Sequence, residues 1–397
     1  MGLFSTKKNK NKLIMIFDIS SGSVGGAFVS LIANKNPNIK SFDPVILGQI
    51  RTDMKYQDEL DFEKFSFYMN KALYDTALKL MMMNIGRPEK IYCFLASPWH
   101  ICQTKIIHLE KEKTFITTTK MVNDLIEIEL KNVVLEYNNK YKDTTDKPKL
   151  IENVVLESSV NGYKVSDLYN KKATMLDIVI YLSLSPESVL SNIEDAIEKV
   201  FPDIALSFHS FSMSFYNAIR LKYSNSYSHL LIDINAEITD VGMVADGILT
   251  SFFSFPIGRN SIIRKIMKAM NISKNQAESL FTLFSSNVLE EKKKKEINIV
   301  LNDIESTWKN IFYRSIADLS KLSGYTDLIY LVSHLDSSLY FTNILRNPNV
   351  PLKILGDRKF SVVTLTGDDL KSLCKVESGG CDEFLMSEAL ALAYIYK

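Results

Sequence analysis

The chain has 397 residues, 46% of them hydrophobic and 23% charged, an ordinary composition for a globular protein large enough to hold two or more domains. Lysine plus arginine (47) nearly balance aspartate plus glutamate (46), so no overall field would draw the protein to nucleic acid, and we expect no nucleic-acid partner. No run reaches the roughly 18 to 20 consecutive apolar residues of a membrane span, and the N-terminus lacks the apolar region of a signal peptide, so we expect a cytoplasmic protein.

The first twelve residues, MGLFSTKKNKNK, predict a flexible basic tail. Gly2 and Thr6 stand at the spacing of an N-myristoylation signal, and the lysines that follow would add attraction to acidic lipid. So short a pattern recurs by chance, and a solvated tail is the simpler interpretation.

In chain order, the first predicted elements are three strands and a helix. The apolar run over 13–19 predicts a strand buried on both faces, 25–33 its antiparallel partner, and the stretch from Pro44 a third strand. Apolar residues then repeat at helical spacing from Phe65 to about Met83 and predict a long helix.

Residues 89–165 differ in pattern from their surroundings. They predict several strands, a helix over 117–134 and a long polar loop, which together indicate an inserted subdomain. A buried-strand pattern resumes over 173–185 and is followed by a helix over 185–200.

The second half repeats the opening of the first. It predicts a strand over 229–234, a turn over 235–237 and a second strand over 241–245, with Asp246-Gly247 as a hairpin signal before a third strand. The remaining predicted elements are helices over 261–271, 274–284 and 296–322, a strand over 327–333, a helix over 339–345, a β segment over 359–366 and a helix over 383–396.

The stretches LIMIFDISSGSVGGAFVS and LLIDINAEITDVGMVADG share one pattern. Each runs from an apolar strand to an aspartate, Asp18 or Asp233, and continues through a polar turn into a second strand. The backbone N–H groups of such a turn can face an anion, and an aspartate at the strand end can orient a metal ion or its water shell. One hairpin from each of two similar domains would clamp a Mg²⁺-bound polyphosphate from opposite sides.

With these two hairpins, the chain resembles the FtsA and PilM branch of bacterial actin-like proteins over nearly its whole length. The pieces that carry the resemblance are FDISSGSV and LIDINAEITD as the two phosphate loops, the segment 152–183, FPIGRNSIIRKI with NISKNQAESL, and the closing LMSEALALAYIYK. The resemblance implies an α/β, actin-like fold of duplicated, ribonuclease H-like domains with an FtsA-type inserted α+β subdomain.

The resemblance also implies a domain organisation. The expected parts are a flexible tail over 1–12, a first actin-like domain over 13–88 and 166–203, the inserted FtsA/PilM-type subdomain over 89–165, a second actin-like domain over 204–382 with a helical subdomain over 258–325, and a closing helix over 383–397.

Residue by residue, the resemblance gives a candidate nucleotide site for ATP and Mg²⁺. Asp18 and Asp233 would hold Mg²⁺ through the nucleotide, and no catalytic residue is assigned. The candidate nucleotide-binding residues are Asp18, Ser20, Ser21, Gly22, Asp233, Asn235, Thr239, Asp240, Gly258, Glu278, Ser333 and His334.

Both phosphate loops depart from the family's glycine-rich pattern. Ser20 replaces a glycine in the first loop, and Asn235, Ala236 and Glu237 stand where the second loop of the family has three glycines. Glu237 would place a carboxylate near the phosphates, at a cost of ~1 to 4 kcal/mol for a like charge at ~4 Å. We therefore expect ATP binding and hydrolysis to be weakened or lost.

The adenosine end departs from the family as well. The segment 332–335 replaces the glycine-rich turn on which the base lies, and Phe281 stands where a lysine is expected. His334 could stack on a base or act as an acid, but a loop histidine that replaces a lost nucleotide contact is the simpler interpretation.

Three functions follow from these expectations. The first is an FtsA-like scaffold or adaptor in bacterial cell division or another membrane-associated assembly, with protein partners and self-assembly into filaments. The chain stops at Lys397 without the amphipathic tail of FtsA, so membrane contact would come through the N-terminal tail or a membrane-protein partner.

The second function is that of a PilM-like cytoplasmic component of type IV pilus or related secretion machinery. In this branch the fold grips the N-terminal peptide of an inner-membrane protein, and we expect an extended peptide between the first domain and the inserted subdomain. The third function, a working actin-like ATPase or sugar-type kinase, is disfavoured by the missing glycines.

Overall fold

The computed structural model describes residues 12–33, 42–141, 146–224, 227–324, 326–346 and 359–396. Residues 1–11 of the expected tail, with Gly2 and Thr6, lie outside these ranges. Among the helices of the described ranges, none combines the length and the apolar character that a bilayer span requires.

The helices and strands alternate along the chain as in an α/β protein. The first half contains β1 (Lys12–Ile19), β2 (Ser23–Ala33), β3 (Phe42–Asp53), α1 (Phe62–Met82), β4 (Lys90–Leu95), β5 (Ile101–Ile116), α2 (Thr119–Lys140), β6 (Pro148–Val160), β7 (Tyr163–Lys164), β8 (Lys172–Pro186), α3 (Glu187–Glu198), β9 (Leu206–Ser210) and α4 (Phe211–Lys222). The second half contains β10 (His229–Ile234), β11 (Thr239–Ala245), β12 (Ile248–Phe255), α5 (Arg259–Met270), α6 (Lys274–Ser285), α7 (Glu291–Ser323), β13 (Leu328–Ser333), α8 (Leu335–Arg346), β14 (Ser361–Thr364), α9 (Gly367–Leu370), β15 (Lys375–Val376) and α10 (Glu383–Ile395).

Six strands form the first sheet, in the order β15-β3-β2-β1-β4-β9. Within it, β1 is antiparallel to β2 and parallel to β4. The apolar residues of β1 alternate between two cores: Met15 and Phe17 pack with α1 and α3, whereas Ile14 and Ile16 pack with α4 and α10. Burial on both faces explains why this strand is a nearly continuous apolar run.

Five strands form the second sheet, in the order β12-β11-β10-β13-β14, and β10 to β12 repeat the antiparallel pairing of β1 to β3. One face of this sheet, with Leu230 and Ile232, packs against α5 to α8. The other face adds Leu231 and Tyr330 to the core that contains α4 and α10. These two helices therefore form a layer between the two halves of the molecule.

Four strands form a third sheet, β5-β8-β6-β7, with α2 packed on one face. Its boundaries differ from the expected inserted range of 89–165. The strand β4 pairs with β1 and β9 in the first sheet, whereas β8 pairs with β5 and β6, so the four-stranded unit runs from Ile101 to Pro186. The apolar patterns of β4 and β8 indicate that both strands are buried, but such a pattern does not specify the sheet to which a strand belongs.

Candidate functional site

The two predicted phosphate loops lie face to face and touch. In the β1–β2 turn, Ser20 Oγ donates to Ser23 O at 3.0 Å, and in the β10–β11 turn, Asn235 N–H donates to the carbonyl of Ile238 at 2.9 Å. Between the turns, the N–H of Glu237 donates to Ser21 Oγ at 3.0 Å. The sequence thus correctly places the two turns opposite each other, but they are in direct contact.

Gly22 and Ala236 form the closest part of this contact. A Cβ atom added at Gly22 would lie 2.4 Å from the Cβ of Ala236, much closer than two carbon atoms can approach. The glycine is therefore required by the close approach of the opposite turn. In this arrangement a phosphate group has no space between Gly22 and Ala236.

Asp18, the first predicted Mg²⁺ ligand, is bound to an arginine of the same chain. Its carboxylate is 1% exposed, and its Oδ2 lies 2.7 Å from Nη1 of Arg51 on β3. Arg51 also donates from Nε and Nη2 to Asp382, at 2.8 and 3.0 Å. Asp382 in turn caps the N-terminus of α10 by accepting the N–H groups of residues 384 and 385. Arg51 therefore links Asp18 to the closing helix.

A further carboxyl group, Glu388 of α10, belongs to this cluster and is fully buried. Burial raises the pKa of Glu388 well above its usual value, and the negative charge of Asp18 raises this pKa further. Burial also raises the pKa of Asp18, while the charge of Arg51 opposes that shift. The cluster thus has one positive charge, that of Arg51. The surroundings favour fewer than three negative charges among Asp18, Asp382 and Glu388.

Asp233 and Asp240 face each other as a register pair of β10 and β11, and both are buried. Asn235 Nδ2 donates to Asp233 Oδ2 at 2.7 Å. Burial, and then the charges of Asp240 and Asp18, raise the pKa of Asp233 well above its usual value. Burial raises the pKa of Asp240 to about 6, although hydrogen bonds from two serine hydroxyls oppose the shift.

These carboxyl groups do not by themselves make a metal centre. Within the described part of the chain, no three His, Cys, Asp or Glu side chains converge on a point that could hold a metal ion. The assignment of Mg²⁺ to Asp18 and Asp233 stays a prediction, and it would require ligands from a nucleotide and water.

The side chain of Glu237 points toward α5 and is neutralised there. Its Oε1 accepts from Arg264 Nη1 at 3.0 Å and from Asn260 Nδ2 at 2.8 Å, and its Oε2 lies 2.5 Å from Arg264 Nη2. The carboxylate that we expected to repel phosphate is thus part of a salt bridge inside the second half of the molecule.

Gly258 lets the start of α5 approach the β10–β11 turn. A Cβ atom at this position would lie 2.4 Å from the carbonyl oxygen of Asn235. The next two residues, Arg259 and Asn260, donate their N–H groups to the carbonyls of Asn235 and Ala236, at 3.0 and 2.7 Å. The N-terminal N–H groups of α5, which could otherwise face an anion, are therefore used within the protein.

Thr239 and Glu278 have structural partners as well. The Thr239 hydroxyl donates to the carbonyl of Ile257 at 2.7 Å and accepts from Trp308 Nε1 at 3.0 Å. Glu278 accepts from Arg259 Nη1 at 3.1 Å, and the same arginine binds Asp336 through Nε and Nη2. Thr239 thus joins α7 and the segment before α5 to the start of β11. Glu278 helps to join α6 to α5, and through Arg259 to α8.

Ser333 and His334 lie at the end of β13, beside the closing helix. The His334 ring centroid is 5.7 Å from that of Phe384. Burial, and then the charge of Arg51, lower the pKa of His334 to about 4, so this histidine is neutral at pH 7. Beside the turns a cavity of about 80 Å³ remains, lined by Gly22 and Ala236 of the turns and by His334, Glu278 and Tyr56 among others.

Sequence reasoning missed the three arginines of this region. Arg51, Arg259 and Arg264 bind carboxylates that are remote in sequence or on other elements, so no local motif reveals the pairs. An arginine within the largely apolar strand PVILGQIRT is a sequence signal that could have pointed to Arg51.

A second concave site lies between the inserted sheet and the α4–α10 layer. Its cavity of about 460 Å³ is lined by the six consecutive residues 151–156 of β6 and by residues of β4, β9, α4 and α10. Since successive side chains of a strand point to opposite faces, a run of six consecutive lining residues indicates that the strand edge faces the cavity. We call this cavity the β6 groove.

The edge of β6 along the groove has no partner strand in the described part of the chain. β7 pairs with β6 only at Ser159 and Val160, beyond the groove. Glu152 fixes the position of β6, since its carboxylate accepts from Ser210 Oγ at 2.6 Å and lies 3.1 Å from His209 Nδ1.

Comparison with known proteins gives a likeness in fold. No protein-family model matches the sequence, and no curated protein matches it. The PilM-PilN type IV pilus biogenesis complex aligns with a TM-score of 0.63 over 96% of this chain and 97% of that chain, at 11% identity. MreB 5 of Spiroplasma citri bound to AMPPNP aligns with a TM-score of 0.43 over 92% and 94% of the two chains, at 11% identity. The ethanolamine utilization protein EutJ from Carboxydothermus hydrogenoformans aligns with a TM-score of 0.42 over 97% and 90%, at 8% identity.

The molecule therefore has an actin-like α/β fold, as predicted from the two loops and the order of the elements. Within that class, PilM is a structural relative over nearly the whole chain. At such low identity the likeness establishes the fold alone.

Proposed function

We propose that the protein is an actin-fold adaptor that binds an extended segment of a partner protein in the β6 groove. The observation that carries the proposal is the edge of β6 that forms one wall of the cavity and has no partner strand there among the described residues. Such an edge offers backbone N–H and C=O groups to which an extended peptide can add as a further strand.

The lining of the groove indicates the chemistry of the peptide. Side chains on one face of a bound strand would contact Met213, Ala391 and Ile395 of the α4–α10 layer, which are apolar. Arg220 also lines the groove and lies over the ring of Tyr216, where it could bind a carboxylate. We expect segments with apolar residues at alternate positions and an acidic residue near Arg220.

The proposed setting is a membrane-associated assembly. The PilM-PilN complex is an example of an actin-fold protein bound to a protein partner in type IV pilus biogenesis. By analogy, we propose that this chain serves type IV pilus or related secretion machinery at the inner face of the membrane, with an inner-membrane protein as partner. Three other expectations stay predictions: an FtsA-like role in cell division, the formation of filaments, and membrane contact through the N-terminal tail.

The proposal includes weakened or lost ATP binding. The cleft in this arrangement does not fit Mg²⁺-ATP: Asp18 is bound to Arg51, the N–H of Glu237 is bound to Ser21, and no space separates Gly22 from the opposite turn. A kinase or ATPase would need these groups free for metal and phosphate. We therefore expect no ATPase activity or a very weak one.

A peptide selection tests the groove directly. Extended 12-residue peptides would be selected from a displayed library on the immobilised full chain and then synthesised for fluorescence anisotropy. We expect Leu156→Glu, which places a charge in the groove, to weaken the selected peptides by about tenfold or more, in line with the loss of one buried apolar anchor. The matched control is Ile106→Glu on β5 of the same sheet, where the side chain is 71% exposed and outside the groove. Peptides that bind wild type and Leu156→Glu equally would refute the groove as the binding site.

A further inference from the structure

The β1–β2 turn and the β10–β11 turn belong to different halves of the molecule, yet they are in direct contact. Ser21 accepts the N–H of Glu237 at 3.0 Å, and Gly22 fits against Ala236 with no space for a further carbon atom. A clamp that opens and closes around a ligand needs a gap at this point, and here the gap is closed by the protein.

The first turn is held firmly on its own side. Ser20 Oγ donates to Ser23 O at 3.0 Å, and the carbonyl of Gly22 accepts the N–H of Met54 at 2.9 Å. In addition, Trp99 Nε1 donates to the carbonyl of Ser20 at 2.9 Å, and Trp99 is fully buried. The turn thus cannot move aside without breaking bonds to β3, β4 or their neighbouring residues.

The second turn is held with similar firmness. Its carbonyls at Asn235 and Ala236 accept the first N–H groups of α5, and the Glu237 carboxylate is bound by Arg264 and Asn260. Each turn is therefore a rigid piece of its own half, and a contact between two rigid pieces fixes the angle between the halves.

We propose that this contact, which we call the turn latch, keeps the cleft closed in the ligand-free protein. The latch consists of the Ser21–Glu237 hydrogen bond and the Gly22–Ala236 contact. It is an autoinhibitory contact, because it uses the backbone N–H that an anion would need and removes the space for a phosphate.

The close contact between Gly22 and Ala236 can be tested by exchanging the two residues. In Gly22→Ala the new Cβ would lie 2.4 Å from the Cβ of Ala236, so the turns must separate. In the double variant Gly22→Ala/Ala236→Gly that obstacle is removed, and the nearest remaining atom of residue 236 lies 3.7 Å away, an ordinary contact distance. The backbone of Gly22 is not in the left-handed region, so alanine is allowed there.

The measurements are amide hydrogen exchange of residues 235–238 and the radius of gyration from X-ray scattering, on the full chain. We expect slow exchange in wild type that Mg²⁺-ATP does not change, faster exchange and a larger radius in Gly22→Ala, and recovery of both in the double variant. In Ser21→Ala we expect the Glu237 amide to exchange about tenfold faster, as for the loss of one hydrogen bond. Ser279→Ala, an exposed serine of α6, serves as the control.

Two outcomes would overturn the latch. One is a Gly22→Ala protein with the exchange and radius of wild type, because the turns would then not hold the halves together. The other is a double variant that fails to recover, because the effect of Gly22→Ala would then not arise from the contact with Ala236. A Gly22→Ala protein that unfolds but is rescued by Ala236→Gly still supports the latch.

Discussion

Arg51 is the residue on which the charge balance of the first turn depends. It binds Asp18, which is 1% exposed, and also Asp382 at the start of α10. The sequence correctly indicated that Asp18 and Asp233 occupy equivalent strand ends, because each strand end has a local pattern. It could not indicate that an arginine binds Asp18, because that pair forms only when β3 folds beside β1 and β2.

Replacement of this arginine tests its role. In Arg51→Ala the buried carboxylate of Asp18 and its neighbour Asp382 lose their common partner, so we expect a loss of about 3 kcal/mol or more in the free energy of unfolding. Urea unfolding followed by circular dichroism measures it. Lys131→Ala, which breaks the exposed Lys131–Glu127 pair on α2, is the control and should change the free energy of unfolding little. Equal small losses in both variants would refute the account of Arg51.

The raised pKa of Asp240 predicts the direction in which the free energy of unfolding changes with pH. Its pKa is raised to about 6 in the folded protein from a reference value of 3.8, so the folded state binds more protons than the unfolded state between these values. The stabilisation from Asp240 is present below pH 3.8 and is lost as the pH rises through about 6, with a change of about 3 kcal/mol.

The matching experiment compares wild type with Asp240→Asn in urea unfolding at pH 4 and pH 7. Because asparagine does not titrate, and because Asp240 of the unfolded chain is already partly ionised at pH 4, we expect the variant to gain stability relative to wild type by about 2 kcal/mol between the two pH values. His334, whose pKa is lowered to about 4, changes stability in the opposite direction, but it is present in both proteins and cancels. A relative stability that does not depend on pH would contradict the raised pKa of Asp240.

At the scale of elements, the two hairpins were predictable from the sequence. The ends of helices and the pairing of strands were less predictable. The helix predicted over 296–322 begins at Glu291 in the structure, because the run EEKKKKE consists of good helix formers although it lacks the apolar residues that mark a helix face. The edge of β6 was not predictable, because an apolar pattern shows burial and does not show which strands pair.

Thr239 tests how the second hairpin is joined to α7. Thr239→Val removes the hydroxyl that binds both the carbonyl of Ile257 and Trp308 Nε1, and it leaves two buried polar groups without this partner. We expect a loss of about 2 to 4 kcal/mol in the free energy of unfolding, measured in urea. Thr307→Val on α7, where the hydroxyl binds only the carbonyl of Asp303 at the surface, should change little, and an equal effect of the two substitutions would contradict the joining role.

At the scale of the whole molecule, the repeat of strand, aspartate and turn predicted the duplicated actin-like fold. The comparison with the PilM-PilN complex confirms that fold over nearly the full chain. The direct contact of the two turns was not predictable from the sequence, because it depends on how the halves pack around α4 and α10. The weak phosphate binding that the missing glycines indicate stays a prediction.

We propose from the closed cleft and the β6 groove that the protein recognises a partner without a nucleotide switch. The measurement that tests this central claim most directly is calorimetric titration of the full chain with Mg²⁺-ATP and a slowly hydrolysed analogue, beside Asp18→Ala. We expect no binding heat at nucleotide concentrations up to about 1 mM, equivalent to an affinity weaker than about −4 kcal/mol. Micromolar binding that is lost in Asp18→Ala would contradict the account and restore a working nucleotide site.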